Sequence, residues 1–79
     1  MALNKTIFEE NWKEIRSQST KRWNLMAEHD LLKVDKADDK YDKFATMLQV
    51  KYGFTRQQAR EEIQRLWAES EAKNKIMNS

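Results

Sequence analysis

The sequence predicts an all-α fold, a single domain of four helices, because little in it can interrupt a helix. The 79 residues contain no proline and one glycine, the two residue types that most often end helices. Apolar residues recur at steps of three and four along the chain, which is the spacing of one helical face. Three Trp, three Phe and two Tyr supply a core although 35% of the residues are charged. A packed domain is therefore expected rather than a disordered chain.

The first predicted helix begins with a capping box, in which Thr6 is followed three residues later by Glu9. It is expected to end at Trp23 and Asn24, since Asn is the residue that most often replaces glycine in the left-handed closing position. Its inward positions are Phe8, Trp12, Ile15, Ser19, Trp23 and Met26.

A short second helix is predicted at about Ala27 to Val34, with Glu28 and Asp30 in its first turn, where carboxylates interact favourably with the helix dipole. Its core candidates are Leu31, Leu32 and Val34. Residues 35–39 form a connection in which Asp35 or Asp38 is expected to cap the third helix.

The third predicted helix ends at Gly53, the residue best suited to a left-handed closing position. Thr55 and Gln58 then form a capping box for a fourth helix that runs from Arg56 to about Glu71, and residues 73–79 are expected to fray. The apolar stripe of the third helix is Ala37, Tyr41, Phe44, Ala45, Leu48 and Tyr52. The inward positions of the fourth are Ala59, Ile63, Leu66 and Trp67.

Composition restricts where and how such a protein can act. It has no cysteine, so neither disulfides nor thiolate zinc sites can reinforce the fold. No stretch approaches the roughly 20 apolar residues that span a bilayer, and the N-terminal residues lack a signal-peptide pattern. We therefore expect a cytoplasmic protein, and we take a monomer as its expected state. The formal net charge is +2, but acidic and basic residues alternate, so no basic tail is present.

No residue pattern indicates a catalytic, cofactor or metal site. His29, between Glu28 and Asp30, resembles a metal ligand, but adjacent helical residues point in different directions and no His-Glu-x-x-His motif exists. The acidic run lacks the alternating calcium-loop spacing, so capping and solvation are favoured for Asp35, Asp38, Asp39 and Asp42. A single glycine cannot build a phosphate-binding loop. We predict a protein that is not an enzyme and has no cofactor.

The sequence leaves a nucleic-acid-binding module open as an alternative. Tryptophans could stack on bases beside a groove formed by Lys13, Arg16, Lys21, Arg22, Arg56, Arg60 and Arg65. The tryptophans lie at core spacing, however, and glutamates are interspersed among the basic residues, so nucleic-acid binding is expected to be absent or weak. A structure would favour this alternative by grouping the basic side chains on one acid-free face. A protein partner could instead bind the mildly amphipathic tail at Ala72, Ile76 and Met77.

One set of residues carries a resemblance to a known family. Asn11-Trp12-Lys13 is followed by Trp23, Asp30 and the run from Leu48 to Arg60, which contains a Gln-x-x-Tyr-Gly turn. In this order the residues resemble the CsbD-like family of bacterial general-stress proteins over about 11–67. The matching signature positions, expected to be structural, are Trp12, Trp23, Asp30, Gln49, Tyr52, Gly53 and Ala59.

The resemblance implies helical hairpins packed crosswise, somewhat like a sterile-alpha-motif domain, in a cytoplasmic protein made under stress and without an established biochemical activity. The chain departs from the family pattern where glycines are usual, with Ser17, Asn24 and either Asp39 or Thr46 at those positions. It also lacks the threonine that opens the family's acidic stretch before Asp30, and it carries a few extra residues before Tyr41. The start of the second helix and the connection after it are the parts that the resemblance specifies least.

Overall fold

The computed structural model describes the backbone of residues 3–78 and the side chains of residues 3–70. Within that part of the chain all regular structure is helical, so the predicted all-α class is confirmed. The helices are α1 (Lys5–Glu10), α2 (Trp12–Arg22), α3 (Glu28–Asp35), α4 (Lys40–Tyr52) and α5 (Arg56–Asn78). Five helices replace the predicted four because the first predicted helix is divided in two.

The division lies at Asn11, which belongs to neither α1 nor α2. The Ile7 carbonyl accepts hydrogen bonds from both the Asn11 backbone N–H, at 3.1 Å, and the Asn11 side-chain amide, at 2.9 Å. The side chain thus adds a second donor to this carbonyl, a local hydrogen bond of the kind with which asparagine competes against regular helix. The predicted cap at Thr6 is also wrong, because Asn4 caps α1 by accepting a hydrogen bond from Ile7 N–H at 2.9 Å.

The end of α2 differs from the prediction in its backbone conformation. Trp23 is extended, with φ −121°, and its N–H donates to the Ser19 carbonyl at 2.8 Å. No residue other than glycine has a positive φ among the described residues, so the predicted left-handed closure at Asn24 is wrong. The extended backbone accompanies burial of the Trp23 ring, which is 4% exposed. The end of α2 thus coincides with burial of this ring and not with a left-handed residue.

Helix α3 begins and ends within one residue of the prediction. Leu31 and Val34 are buried as expected, but Leu32 is 46% exposed, so its assignment to the core is wrong. The buried side of α3 is formed by Asp30, Leu31 and Val34. Successive helical residues are about 100° apart, and the step from Leu31 to Leu32 leads away from this side.

Helix α4 is capped by Asp39, whose carboxylate accepts a hydrogen bond from Asp42 N–H at 3.0 Å. The prediction of Asp35 or Asp38 as the cap is wrong. Asp35 is instead the last residue of α3, and its carboxylate accepts a hydrogen bond from Trp12 of α2. Ala37 accordingly lies in the connection before α4 and not on the helical stripe.

The turn between α4 and α5 is confirmed in detail. Gly53 is left-handed, with φ 71°, and its N–H donates to the Gln49 carbonyl at 2.9 Å. Thr55 N–H donates to Gln58 Oε1 at 2.9 Å, and Gln58 N–H donates to Thr55 Oγ1 at 3.1 Å, which completes the capping box. Helix α5 continues beyond the predicted end to Asn78. Fraying of 73–79 stays a prediction, and Ser79 lies outside the described residues.

The core is built around Phe44 of α4. The ring centroids of Phe8, Trp12 and Trp23 lie 5.8, 5.6 and 5.5 Å from that of Phe44, distances at which tilted and edge-on aromatic pairs are favourable. All three tryptophans are buried, as their helical spacing predicted. Other buried apolar residues are Ile15, Met26, Leu31, Val34, Ala45, Met47, Leu48, Ala59, Ile63 and Leu66.

Candidate functional site

Trp12 takes part in a polar cluster that joins α2 to α3. Its indole N–H donates to Asp35 Oδ1 at 2.5 Å, and Arg16 Nε lies 3.1 Å from both Asp35 oxygens. Arg16 also donates to Glu28 Oε1 at 2.5 Å. The Trp12 hydrogen bond and the Arg16 guanidinium lower the pKa of Asp35 despite the opposing effect of burial. The carboxylate is therefore held in its charged form as a link between helices.

Asp30 performs a similar task between α3 and α4. It is 3% exposed, and its carboxylate accepts a hydrogen bond from Ala27 N–H at 3.0 Å and lies 3.1 Å from Lys51 Nζ. Burial alone would raise the pKa of Asp30, but the Ala27 hydrogen bond, Lys51 and nearby His29 lower it below its ordinary value. Asp30 thus caps α3 and attaches it to α4.

Two further signature residues fix the loops at the end of α4. The Tyr52 hydroxyl accepts a hydrogen bond from Leu25 N–H at 3.0 Å, which holds the turn between α2 and α3. The Tyr52 ring also stacks on Phe54, with centroids 5.5 Å apart. Gln49 Oε1 accepts a hydrogen bond from Arg56 at 3.2 Å, across the turn into α5. These side chains connect segments that are distant in sequence.

The remaining signature positions contribute packing or backbone conformation. Trp23 packs edge-on against Phe44 at an interplanar angle of 64°. Ala59 is completely buried on α5, and Gly53 supplies the left-handed turn. The structure thus places each signature residue at a helix junction or in the core and does not gather them into one pocket.

A recess of about 490 Å³ lies beside the break between α1 and α2. Glu9 is already engaged there, because its carboxylate accepts a hydrogen bond from Lys40 N–H at 2.7 Å and lies 3.6 Å from Lys40 Nζ. The lining carries both signs of charge and consists of Glu9, Glu10, Asn11, Trp12, Lys13, Glu14 and Lys40. Glu9 therefore holds the start of α4, and the mixed charge of the recess does not select one class of ligand.

Of the residues considered as metal ligands, His29 lies near Asp30, with Nε2 3.4 Å from Asp30 Oδ1, and most of the others are engaged separately. The His29 side chain is 69% exposed. Among the described residues there is no group of three or more His, Cys, Asp or Glu side chains that could hold a metal ion. Asp35, Asp39 and Asp42 bind separate cations, namely Arg16, Lys5 and Arg56. These carboxylates thus act as individual links in the fold.

Four of the seven basic residues proposed for a nucleic-acid groove are paired with carboxylates, namely Arg16, Arg22, Arg56 and Arg65. Arg22 binds Glu62 and Glu69, and Arg65 also binds Glu62. Arg16 and Arg56 are paired as described above. The three tryptophans are at most 8% exposed, so they offer no face on which bases could stack. These particular residues therefore do not form the acid-free face that the alternative requires.

Sequence reasoning missed the roles of Asp35, Arg16 and Lys51 as partners of the signature residues. The sequence did indicate that Trp12 needs a partner, because the N–H of a buried tryptophan usually donates to an acceptor. The sequence could not identify that acceptor, since 23 positions separate Trp12 from Asp35.

Comparison of the chain with protein-family models, with curated proteins and with solved structures found no match. In the described part of the chain, no helix combines the length and the apolar character required to cross a membrane.

Proposed function

We propose that the chain is a small bacterial protein of the CsbD-like type that takes part in the general stress response. It works in the cytoplasm as a monomer, and it acts through binding or abundance instead of catalysis. One observation carries this proposal: the residues of the resemblance occupy the helix junctions and the core. A shared family fold would require conserved contacts at such places.

The contacts supply the physical argument. Trp12 binds Asp35, Asp30 binds Lys51, and Tyr52 binds the backbone of Leu25. Each contact joins a different pair of segments, so loss of any one would loosen the arrangement of helices. The polar groups at these positions are engaged within the fold, which supports a structural role for the signature.

The physiological part of the proposal is tested by protein abundance in the source organism. Quantitative immunoblotting should show a rise on osmotic shock, nutrient limitation and entry into stationary phase, compared with a constitutively expressed protein from the same samples. Unchanged abundance in all three conditions would contradict a stress-response role.

The binding part is tested by affinity capture from stressed and unstressed cells. The tagged chain is compared with a variant in which Trp23→Ala removes a core ring, since a partner that recognises the folded surface should be retained only by the parent protein. Sedimentation of the purified chain should give the mass of one copy. A stable dimer would contradict the proposed monomer.

A further inference from the structure

Helices α3 and α4 form an antiparallel hairpin with an outward surface of its own. Lys51, near the end of α4, lies 3.1 Å from Asp30, near the start of α3, and residues 36–39 connect the other ends. Lys33 of α3 and Lys36, the residue that follows α3, are one turn apart and exposed, on the side away from buried Leu31. Both lysines therefore point away from the core.

Helix α4 contributes to the same surface. Lys43 and Val50 are seven residues apart, which places them on one side of the helix, away from the fully buried Phe44 and Leu48. Val50 is 73% exposed, and Leu32 of α3 is 46% exposed. We call this surface the lysine face; it consists of Leu32, Lys33, Lys36, Lys43 and Val50, of which Lys43 is half-buried and the others are exposed.

Most carboxylates of the hairpin form ion pairs with residues outside the lysine face. Glu28 and Asp35 bind Arg16 of α2, whereas Asp42 binds Arg56 of α5. Other carboxylates are buried or bound elsewhere, as with Asp30 on Lys51 and Asp39 on Lys5. Asp38 is exposed in the connection and borders one end of the face.

The three lysines have no carboxylate partner among the described side chains, in contrast to most of the arginines. The ion pairs that join the helices therefore leave an excess of positive charge on one surface of a chain whose net charge is only +2. Such an excess attracts an extended anionic surface more strongly than the net charge implies.

We propose that the lysine face docks on an anionic lipid membrane surface. Charge complementarity is the main argument, since lysines close to such a surface attract its anionic headgroups. Leu32 and Val50 add aliphatic side chains that can enter the headgroup region while the lysine ammonium groups remain at the phosphates. Nucleic-acid sites more often use arginine forks and stacked aromatic rings, and the lysine face contains neither.

The test measures binding of the full chain to vesicles by co-sedimentation at low ionic strength. Vesicles of phosphatidylcholine that contain phosphatidylglycerol are compared with vesicles of phosphatidylcholine alone. The face variant carries Lys33→Gln, Lys36→Gln and Lys43→Gln. The control variant carries Lys13→Gln, Lys21→Gln and Arg60→Gln, which are exposed positions on α2 and α5. Each variant removes three positive charges and takes the formal net charge from +2 to −1.

The parent chain should bind the anionic vesicles and not the neutral ones. Because each lysine near an anionic surface contributes about a fivefold increase in partitioning, the face variant should bind on the order of 100-fold more weakly. The control variant should lose much less, since its charges lie elsewhere. Binding should also weaken as ionic strength rises toward about 0.15 M, where the Debye length is about 8 Å.

A second variant, Leu32→Gln with Val50→Gln, separates lipid binding from attraction to phosphate in general. It keeps all the charges but removes the aliphatic side chains that enter the headgroup region. It should therefore bind anionic vesicles more weakly than the parent chain. Equal losses in the face and control variants would overturn the proposal, as would absence of binding to anionic vesicles. Tighter binding to a duplex DNA oligonucleotide than to vesicles at equal phosphate concentration would also overturn it, in favour of nucleic acid.

Discussion

Replacing Gly53 by alanine should destabilise the domain through the backbone alone. At φ 71° the residue is left-handed, and an added Cβ would meet no atom within 4 Å. A residue other than glycine costs about 1–2 kcal/mol in this conformation. Alanine also restricts the unfolded chain, which returns about 0.4–1 kcal/mol. The expected net loss is on the order of 1 kcal/mol, equivalent to a Tm about 4–8 °C lower for a domain of this size.

The assay is denaturant and thermal unfolding followed by far-ultraviolet circular dichroism. Gly53→Asn is the matched control, because asparagine also adds a Cβ but tolerates the left-handed conformation better. It should therefore fall between the parent chain and Gly53→Ala. An alanine variant with an unchanged or higher midpoint would refute the reasoning, and so would an asparagine variant that is the less stable of the two.

Three further predictions concern the core, the carboxylates of Asp30 and Asp35, and the surface. Trp23→Ala should cost about 3–5 kcal/mol and abolish cooperative unfolding or nearly so; a midpoint close to that of the parent chain would contradict its core role. The pKa values of Asp30 and Asp35 are lowered in the folded state, so the stability they contribute is present above about pH 4 and lost as pH falls below it. Urea midpoints should decline through that range, and less steeply for Asp35→Asn. Oligonucleotide titrations should show weak binding that disappears toward physiological salt; submicromolar binding at about 0.15 M salt would contradict this.

The features that sequence reasoning identified correctly are those encoded by adjacent residues. The turn at Gly53 combines a glycine with a capping box between Thr55 and Gln58, and all the relevant groups lie within a few positions. Helical spacing alone places the three tryptophans on inward faces and predicts their position in the core, where all three are buried. In both cases the determining interactions are short-range or follow directly from helix geometry.

The features that sequence reasoning missed are of two kinds. Some depend on contacts between distant segments, and others depend on a choice between two residues that could each cap the same helix. Asn4 and Thr6 are both good N-cap residues whose preferences differ by less than about 1 kcal/mol, so local rules cannot choose between them. By local rules Asp35 is an acceptable N-cap residue, but in the structure its carboxylate binds Trp12 and Arg16 of α2. The lysine face likewise cannot be predicted from the sequence, because it depends on ion pairs that the carboxylates form with other helices.

Contacts in this domain differ widely in sequence separation, and this difference has a consequence for folding kinetics. Helices α4 and α5 are joined through a turn whose bonds span only Gln49 to Gln58, and short loops cost little entropy to close. In contrast, Leu3 N–H donates to Gln64 Oε1 across 61 positions, and the ring of Phe8 packs on Phe44. We expect the folding nucleus to form in the C-terminal half, with α1 docking after the rate-limiting step. Substitutions at the Gly53 turn would then slow folding, whereas substitutions in α1 would mainly accelerate unfolding.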